Sequence, residues 1–212
     1  MGFQVFDFRK DIRNVIIEPE IRARFMRLEP GQVAQAHTHD LGQEVFLILQ
    51  GQAEFEIEGQ KEILGPGQMC FAAVDESHIC RCVGDEPMIM YLSVTPHLEP
   101  THTFWDEDGN KLPPRYGLTL RDRDPSPGTP EEKADATTAA AEVLGRSAAD
   151  NATAHAKGAT LVKQALAGGD RKAAKDAVDD MWTALYATFR SLRELELAWN
   201  ELTFLFADEQ EA

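Results

Sequence analysis

Between residues 3 and 95 the apolar positions fall in short β-rich runs: IRARFM, EVFLIL, AEFEIE, KEIL, MCFAAV, HICRCV and MIMYLSV. Glu-Pro-Gly, Gln-Gly, Glu-Gly-Gln and Gly-Pro-Gly break them at turn-like intervals. Many short strands so closely spaced predict a sandwich or barrel. In the first run Arg22, Arg24 and Arg27 alternate with Ile21, Ala23 and Phe25, which predicts a strand with the arginines on its wet face.

After residue 128 the period changes. Thr129 as N-cap, Pro130 at the first helical position and Glu132 two residues on form a capping box. Residues 131–167 hold 13 alanines and no aromatic side chain, and Gly168-Gly169-Asp170 predicts a helix stop followed by a new N-cap. Beyond it Val178, Met181, Trp182, Leu185, Phe189, Leu192, Leu195, Trp199, Leu202 and Phe206 recur at spacings of three and four, one continuous apolar stripe. The pattern predicts an antiparallel helical hairpin, the alanine surface allowing close approach and the large residues filling the seam. One alanine-rich partner cannot cover Trp182, Tyr186, Phe189 and Phe206 together. The uncovered remainder must pack on the barrel or on a second hairpin, and a homodimer or higher oligomer built as a four-helix bundle is expected.

The expected organisation is a β-barrel over residues 1–100, a wrapping segment and linker over 101–128, and the helical hairpin over 129–212. From Pro96 the composition shifts to Pro, Asp, Gly and Thr, with a hairpin expected where Phe104 and Trp105 meet DEDGN. Asp106, Asp108 and Asn110 are spaced like a calcium loop, but Lys111 stands where that loop needs Gly and no Glu closes it, so calcium is set aside.

Charge narrows the partners. Lys and Arg number 21 against 36 Asp and Glu, a net charge of -15, which repels phosphate backbones and anionic lipid. No apolar run approaches the roughly 20 residues of a membrane helix. The first residues lack a secretory h-region, and Phe6 stands where a myristoylation signal needs Ser or Thr. Three cysteines, Cys70, Cys80 and Cys82, are too few for a disulfide framework, and a cytoplasmic location is expected.

The chemistry lies in the histidines. Gly31, five residues, His37-Thr38-His39, four residues, Glu44, six residues, Gly51 is an exact spacing. His37 and His39 point to one side of an extended segment, and Glu44 opens the next strand with Phe46 and Ile48 on its own face, so two imidazoles and a carboxylate converge. This resembles the first motif of the cupin superfamily, G(X)5HXH(X)3,4E(X)6G, at every defined position. The second cupin motif, G(X)5PXG(X)2H(X)3N, is matched at Gly67 and His78, while Ala73, Asp75 and Cys82 stand in place of its proline, second glycine and asparagine.

The resemblance spans about residues 20 to 95. It implies a double-stranded β-helix with His37, His39, Glu44 and His78 as four metal ligands. Three neutral imidazoles and one carboxylate suit one divalent transition metal (Fe, Mn, Ni, Cu or Zn), iron or manganese first. Four protein ligands on an octahedral ion leave two adjacent positions open, the arrangement of a reactive site.

Around this set, Cys80 and Cys82 alternate with His78 and could face the cavity, although plain core is the simpler reading. Met69, Phe71, Met88, Met90 and Tyr91 read as pocket lining or barrel core. His97 and His102 read as surface turn residues rather than as a cover with a proton relay, and His155 as solvated. The leading function is a metal-dependent oxygenase acting on a small organic molecule. A non-catalytic binding or sensing cupin, or a cupin isomerase, is the alternative. No arginine is clearly placed to receive an acidic substrate.

Overall fold

A computed structural model describes residues 2–117, 122, 124 and 126–207. Eight strands precede two helices: β1 Asn14–Glu18, β2 Ile21–Leu28, β3 Gln43–Gln50, β4 Gln52–Ile57, β5 Gln60–Leu64, β6 Met69–Ala72, β7 His78–Val83, β8 Met88–Thr95, α1 Pro130–Ala167 and α2 Arg171–Thr203. The seven predicted runs are all strands, and β1 is an additional one. All pairing is antiparallel, in a five-stranded sheet ordered β1-β2-β8-β3-β6 and a three-stranded sheet ordered β5-β4-β7.

The core lies where the inner faces of the sheets meet. Phe46, Ile48, Met88, Met90 and Leu92 from the larger sheet cluster with Ala53, Phe55, Leu64, Cys80 and Cys82 from the smaller one. Phe46 and Phe55 bring their ring centroids to 4.9 Å. Inward residues alternate along each strand, as a pleated strand requires. Gly51, the last glycine of the first motif, sits at φ +68 in the β3–β4 turn, where a Cβ would lie 2.6 Å from the Pro87 carbonyl oxygen. Only glycine accepts both that backbone and that approach.

Strand β2 reverses the expected facing. Arg22 is 1% exposed, and Arg24 and Met26 follow it on the inner face, ending at Leu28 in the core. The apolar residues point the other way: Phe25 packs edge-on against Phe8 and Tyr91, with ring centroids at 6.4 and 6.1 Å. The N-terminal segment covers the outer face, so both faces of β2 are packed. Apolar alternation alone then assigns the wrong face to the inside. Met69 and Phe71 are likewise corrected, standing on the outer face of β6 at 61% and 58% exposure.

The described residues of Met1–Ser126 with Thr203–Ala212 form one unit, and Pro127–Leu202 a second. In the second unit both arms of the Thr129–Glu132 capping box are formed, and Asp170 Oδ1 accepts from the Ala173 amide at the start of α2. The helices are antiparallel. Lys133 pairs with Glu201, the Thr137 hydroxyl donates to the Ala198 carbonyl, Ser147 meets Thr188, and Gly158 lies against Met181. The seam is therefore partly polar. Val178, Trp182, Tyr186 and Phe189 stay about half exposed instead of filling it. No helix among the described residues is long and apolar enough to cross a membrane.

Candidate metal centre

The segment before β3 runs beside β7, with bridges Val33↔Arg81 and His37↔His78, while Thr38 bridges to Thr103. These pairings carry His37 and His39 over the open end of the two sheets. Glu44 enters from β3 and His78 from the start of β7. One ligand atom from each of His37, His39, Glu44 and His78 lies within 4.8 Å of all the others. Glu44 Oε2 is 3.0 Å from His39 Nε2, 3.2 Å from His78 Nε2 and 3.8 Å from His37 Nε2, and the His37 and His78 Nε2 atoms are 3.2 Å apart. All but His37 are buried.

The opposite ring nitrogens settle the tautomers. Nδ1 of His37 lies 2.8 Å from the Gln35 carbonyl, that of His39 on the Thr101 carbonyl, and that of His78 3.0 Å from the Glu76 carbonyl. A carbonyl only accepts, so each Nδ1 carries a proton and each ring, in its neutral form, turns an Nε2 lone pair toward Glu44. Three lone pairs and a carboxylate oxygen then face one point, and a cation is what reconciles them. The donor set fits a divalent transition metal.

Titration follows the same geometry. Burial pushes the Glu44 carboxyl up, but with no metal between them Nε2–H groups of the imidazoles in their protonated form donate to it, outweigh burial and hold it well below the usual carboxylate range. Burial lowers His37. At His78 burial is outweighed by Glu44 and the Glu76 carbonyl, and its pKa rises. The centre thus takes up a positive charge readily, as a proton or as a metal.

The turn before His78 holds Asp75 at φ +66, the left-handed backbone for which the motif carries glycine. Its amide donates to the His39 carbonyl at 2.9 Å, joining the two ligand segments.

The sequence reading missed the cover. His97 and His102 are not surface turn residues. His97 is fully buried with Glu99, Nε2 to Oε1 3.6 Å. The His102 ring stands 4.5 Å from that of His37 and 5.0 Å from that of His39. Burial, with repulsion from His37 and Arg22, holds His102 well below the usual imidazole range, so it is neutral. Trp105 Nε1 donates to the Thr38 hydroxyl at 3.1 Å, and the Thr103 hydroxyl to Asp40, which fastens the segment over the site. A signal was present: His102 and Phe104 alternate with Thr101 and Thr103 at the strand period.

His37, Glu44 and His78 stand at the wall of a cavity of about 240 Å³, lined also by Met26, Phe46, Met90, Leu92 and Phe104, and by three arginines, Arg22, Arg24 and Arg115. Cys80 lines it too, with its thiol pushed by burial up to about 12, a neutral core group. Met90 lines the cavity, Met88 is core and Tyr91 lies on the outer face of β8. His155 is half-buried on α1, its Nδ1 on the Asn151 carbonyl.

Residues 24–95 match the family model of the cupin domain, and the stranded part of the chain is a cupin domain, a double-stranded β-helix. No match is found among curated proteins. Among solved structures it is similar to a conserved protein with a double-stranded β-helix domain from Klebsiella pneumoniae, at 23% identity and a TM-score of 0.43 over 45% of this chain and 91% of that one. A cupin protein from Bacteroides fragilis is similar at 19% identity and 0.40, over 45% and 86%. Oxalate oxidase in complex with the substrate analogue glycolate is similar at 16% and 0.35, over 36% and 42%.

Proposed function

We propose that the protein is a metal-dependent oxygenase acting on a small organic molecule, with His37, His39, Glu44 and His78 holding one divalent ion, iron or manganese. The observation that carries this reading is the convergence of the Nε2 atoms of His37, His39 and His78 on Glu44 Oε2 beside a largely apolar cavity. When bound, the ion supplies Lewis-acid and redox chemistry to a molecule beside it. The protein's own part is to hold the imidazoles by their Nδ1 hydrogen bonds, to hold Glu44 by Arg22, and to exclude water with Phe46, Leu92 and Phe104. His102, kept neutral next to His37, is placed to hydrogen-bond a bound molecule without taking its proton.

Elemental analysis of the full chain purified without added metal, paired with oxygen uptake over a panel of small organic molecules, tests it. One iron or manganese per chain with substrate-dependent uptake is the expected result. Zinc or nickel without uptake overturns the oxygenase assignment in favour of a binding, sensing or isomerase cupin. The three free cysteines support a reducing, cytoplasmic setting. We further infer that a second copy of the chain covers the exposed face of α2; nucleic acid and anionic membranes are disfavoured by the charge of -15.

A further inference from the structure

The charged groups of the cavity wall are already engaged. Arg22 pairs with Glu44 at 3.3 Å, Arg24 has a partner of its own, and Arg115 is exposed, its guanidinium carbon 5.3 Å from the centroid of the Phe104 ring. His37 and His78 each set one ring nitrogen on a backbone carbonyl and turn the other toward Glu44. Gln35 is exposed, and most of the remaining wall is apolar: Met26, Phe46, Met90, Leu92 and Phe104. His102 differs from all of these. It lines the cavity with its ring centroid 4.5 Å from that of His37 and 5.0 Å from that of His39, and Phe104 stacks on it at 19°. Its Nδ1 is buried, and no hydrogen-bond partner among the described residues meets it. A buried polar atom left unmet costs about 1–3 kcal/mol, so this one calls for a partner from outside the chain.

We propose that the cavity binds a small uncharged molecule with one hydroxyl end, the hydroxyl hydrogen-bonded by His102 beside the metal ligands and the apolar body set against Phe46, Met90 and Leu92. The proposal deepens the reading above and rests on it only in taking this cavity as the substrate site. A hydroxyl both donates and accepts, so it meets an imidazole nitrogen in either tautomer, whereas a carboxylate only accepts and a hydrocarbon does neither. With the arginines engaged or solvated, the wall offers a carboxylate no free counter-charge, and burying an unpaired charge is costly. The volume, about 240 Å³, is below the roughly 300–1,000 Å³ of drug-sized sites and selects a small molecule.

Isothermal titration of the full chain with phenol, toluene and benzoate tests this, on protein as purified and after chelation, with metal content measured in parallel. Phenol and toluene are uncharged at neutral pH and differ by a hydroxyl in place of a methyl. A cavity without a polar partner prefers toluene, since the hydroxyl is costly to take out of water. Phenol is expected to bind at least as tightly as toluene in both preparations, and more tightly than benzoate in the chelated one. H102F is expected to weaken phenol about tenfold while leaving toluene binding and metal content unchanged. H102N is expected to keep part of the phenol affinity, which separates a lost hydrogen bond from a lost fold. Phenol binding more weakly than toluene in the wild-type chain, or a loss under about threefold in H102F, overturns the proposal and leaves Nδ1 of His102 to a water molecule. Benzoate binding more tightly than phenol after chelation overturns it as well. Phenol preference in a protein that takes up no metal overturns the metal reading alone.

Discussion

Arg22 and Glu44 form an ion pair at 3.3 Å with side chains 2% and 3% exposed, so one carboxylate oxygen is fixed by a guanidinium while the other faces three imidazoles. The arginine does for the carboxylate what the Gln35, Thr101 and Glu76 carbonyls do for the histidines. Groups that orient metal ligands are commonly worth about 10–100-fold in affinity. Arg22→Gln is therefore expected to weaken metal binding within that range, measured by competition with a chelator. Unchanged affinity would show that Glu44 is oriented without it.

Removal of two imidazoles tests the ligand set directly. The His37→Ala, His39→Ala double variant is expected to lose most bound metal by elemental analysis while its far-ultraviolet dichroism stays that of the wild type. Because the ligands are neutral imidazoles, occupancy in the wild-type protein is expected to fall as pH drops through about 6. Full metal content in the double variant would sink the assignment.

The clustering of His37, His39, Glu44 and His78 was legible because their identities and spacing match the cupin motifs, and two antiparallel sheets follow from runs and turns. The arginines were not. On β2 the phase of the apolar residues marks whichever face is packed, and here Phe8 covers the outer one, so Phe25 points out and Arg22 points in. His102 and Arg115 escaped for a related reason: their segment lies far along the chain from the motifs and is placed by pairings such as Thr38↔Thr103 that no local pattern encodes. The helices were readable from capping and alanine content, but the seam was not, since Thr137, Ser147 and Thr188 pack there while larger side chains stay outside.

The cysteines are expected to be inert. Burial pushes the Cys70 thiol up to about 11 and that of Cys80 up to about 12. At pH 8 a group near 11 is thiolate about once in a thousand molecules, against roughly a quarter for an ordinary cysteine near 8.5. Raising the pH increases the thiolate, so alkylation should speed up about tenfold per unit between pH 8 and 10. Mass spectrometry after iodoacetamide is expected to show both residues modified at least about 100-fold more slowly in native protein than in urea. Rapid native alkylation of Cys80 would place it among the reactive groups of the cavity.

Gly51→Ala puts a side chain where the backbone is left-handed and the Pro87 carbonyl oxygen is 2.6 Å away. The conformation alone costs about 1–2 kcal/mol, and backbone cannot swing aside as a side chain can. A loss of about 2 kcal/mol or more is expected, lowering the melting temperature by about 4–8 °C. A shift within about 1 °C would show that the β3–β4 turn has room to relax.

The exposed face of α2 bears on assembly. Val178, Trp182, Tyr186 and Phe189 are 49%, 58%, 53% and 56% exposed and recur at helical spacing, an apolar strip unusual on a monomer. Two copies crossing antiparallel near Leu185 and Tyr186 would set Trp182 of each against Phe189 of the other. The surface is self-complementary about a two-fold axis, the relation a homodimer needs. Sedimentation equilibrium of the full chain is expected to give twice the 23.6 kDa mass of one copy or more. Trp182→Glu with Phe189→Glu introduces charge at positions already half in water, so the helices should stay folded by circular dichroism while the mass falls to that of one chain. A wild-type protein that is monomeric at micromolar concentration would leave the strip without a second copy, and an unchanged mass in the double variant would move the interface elsewhere.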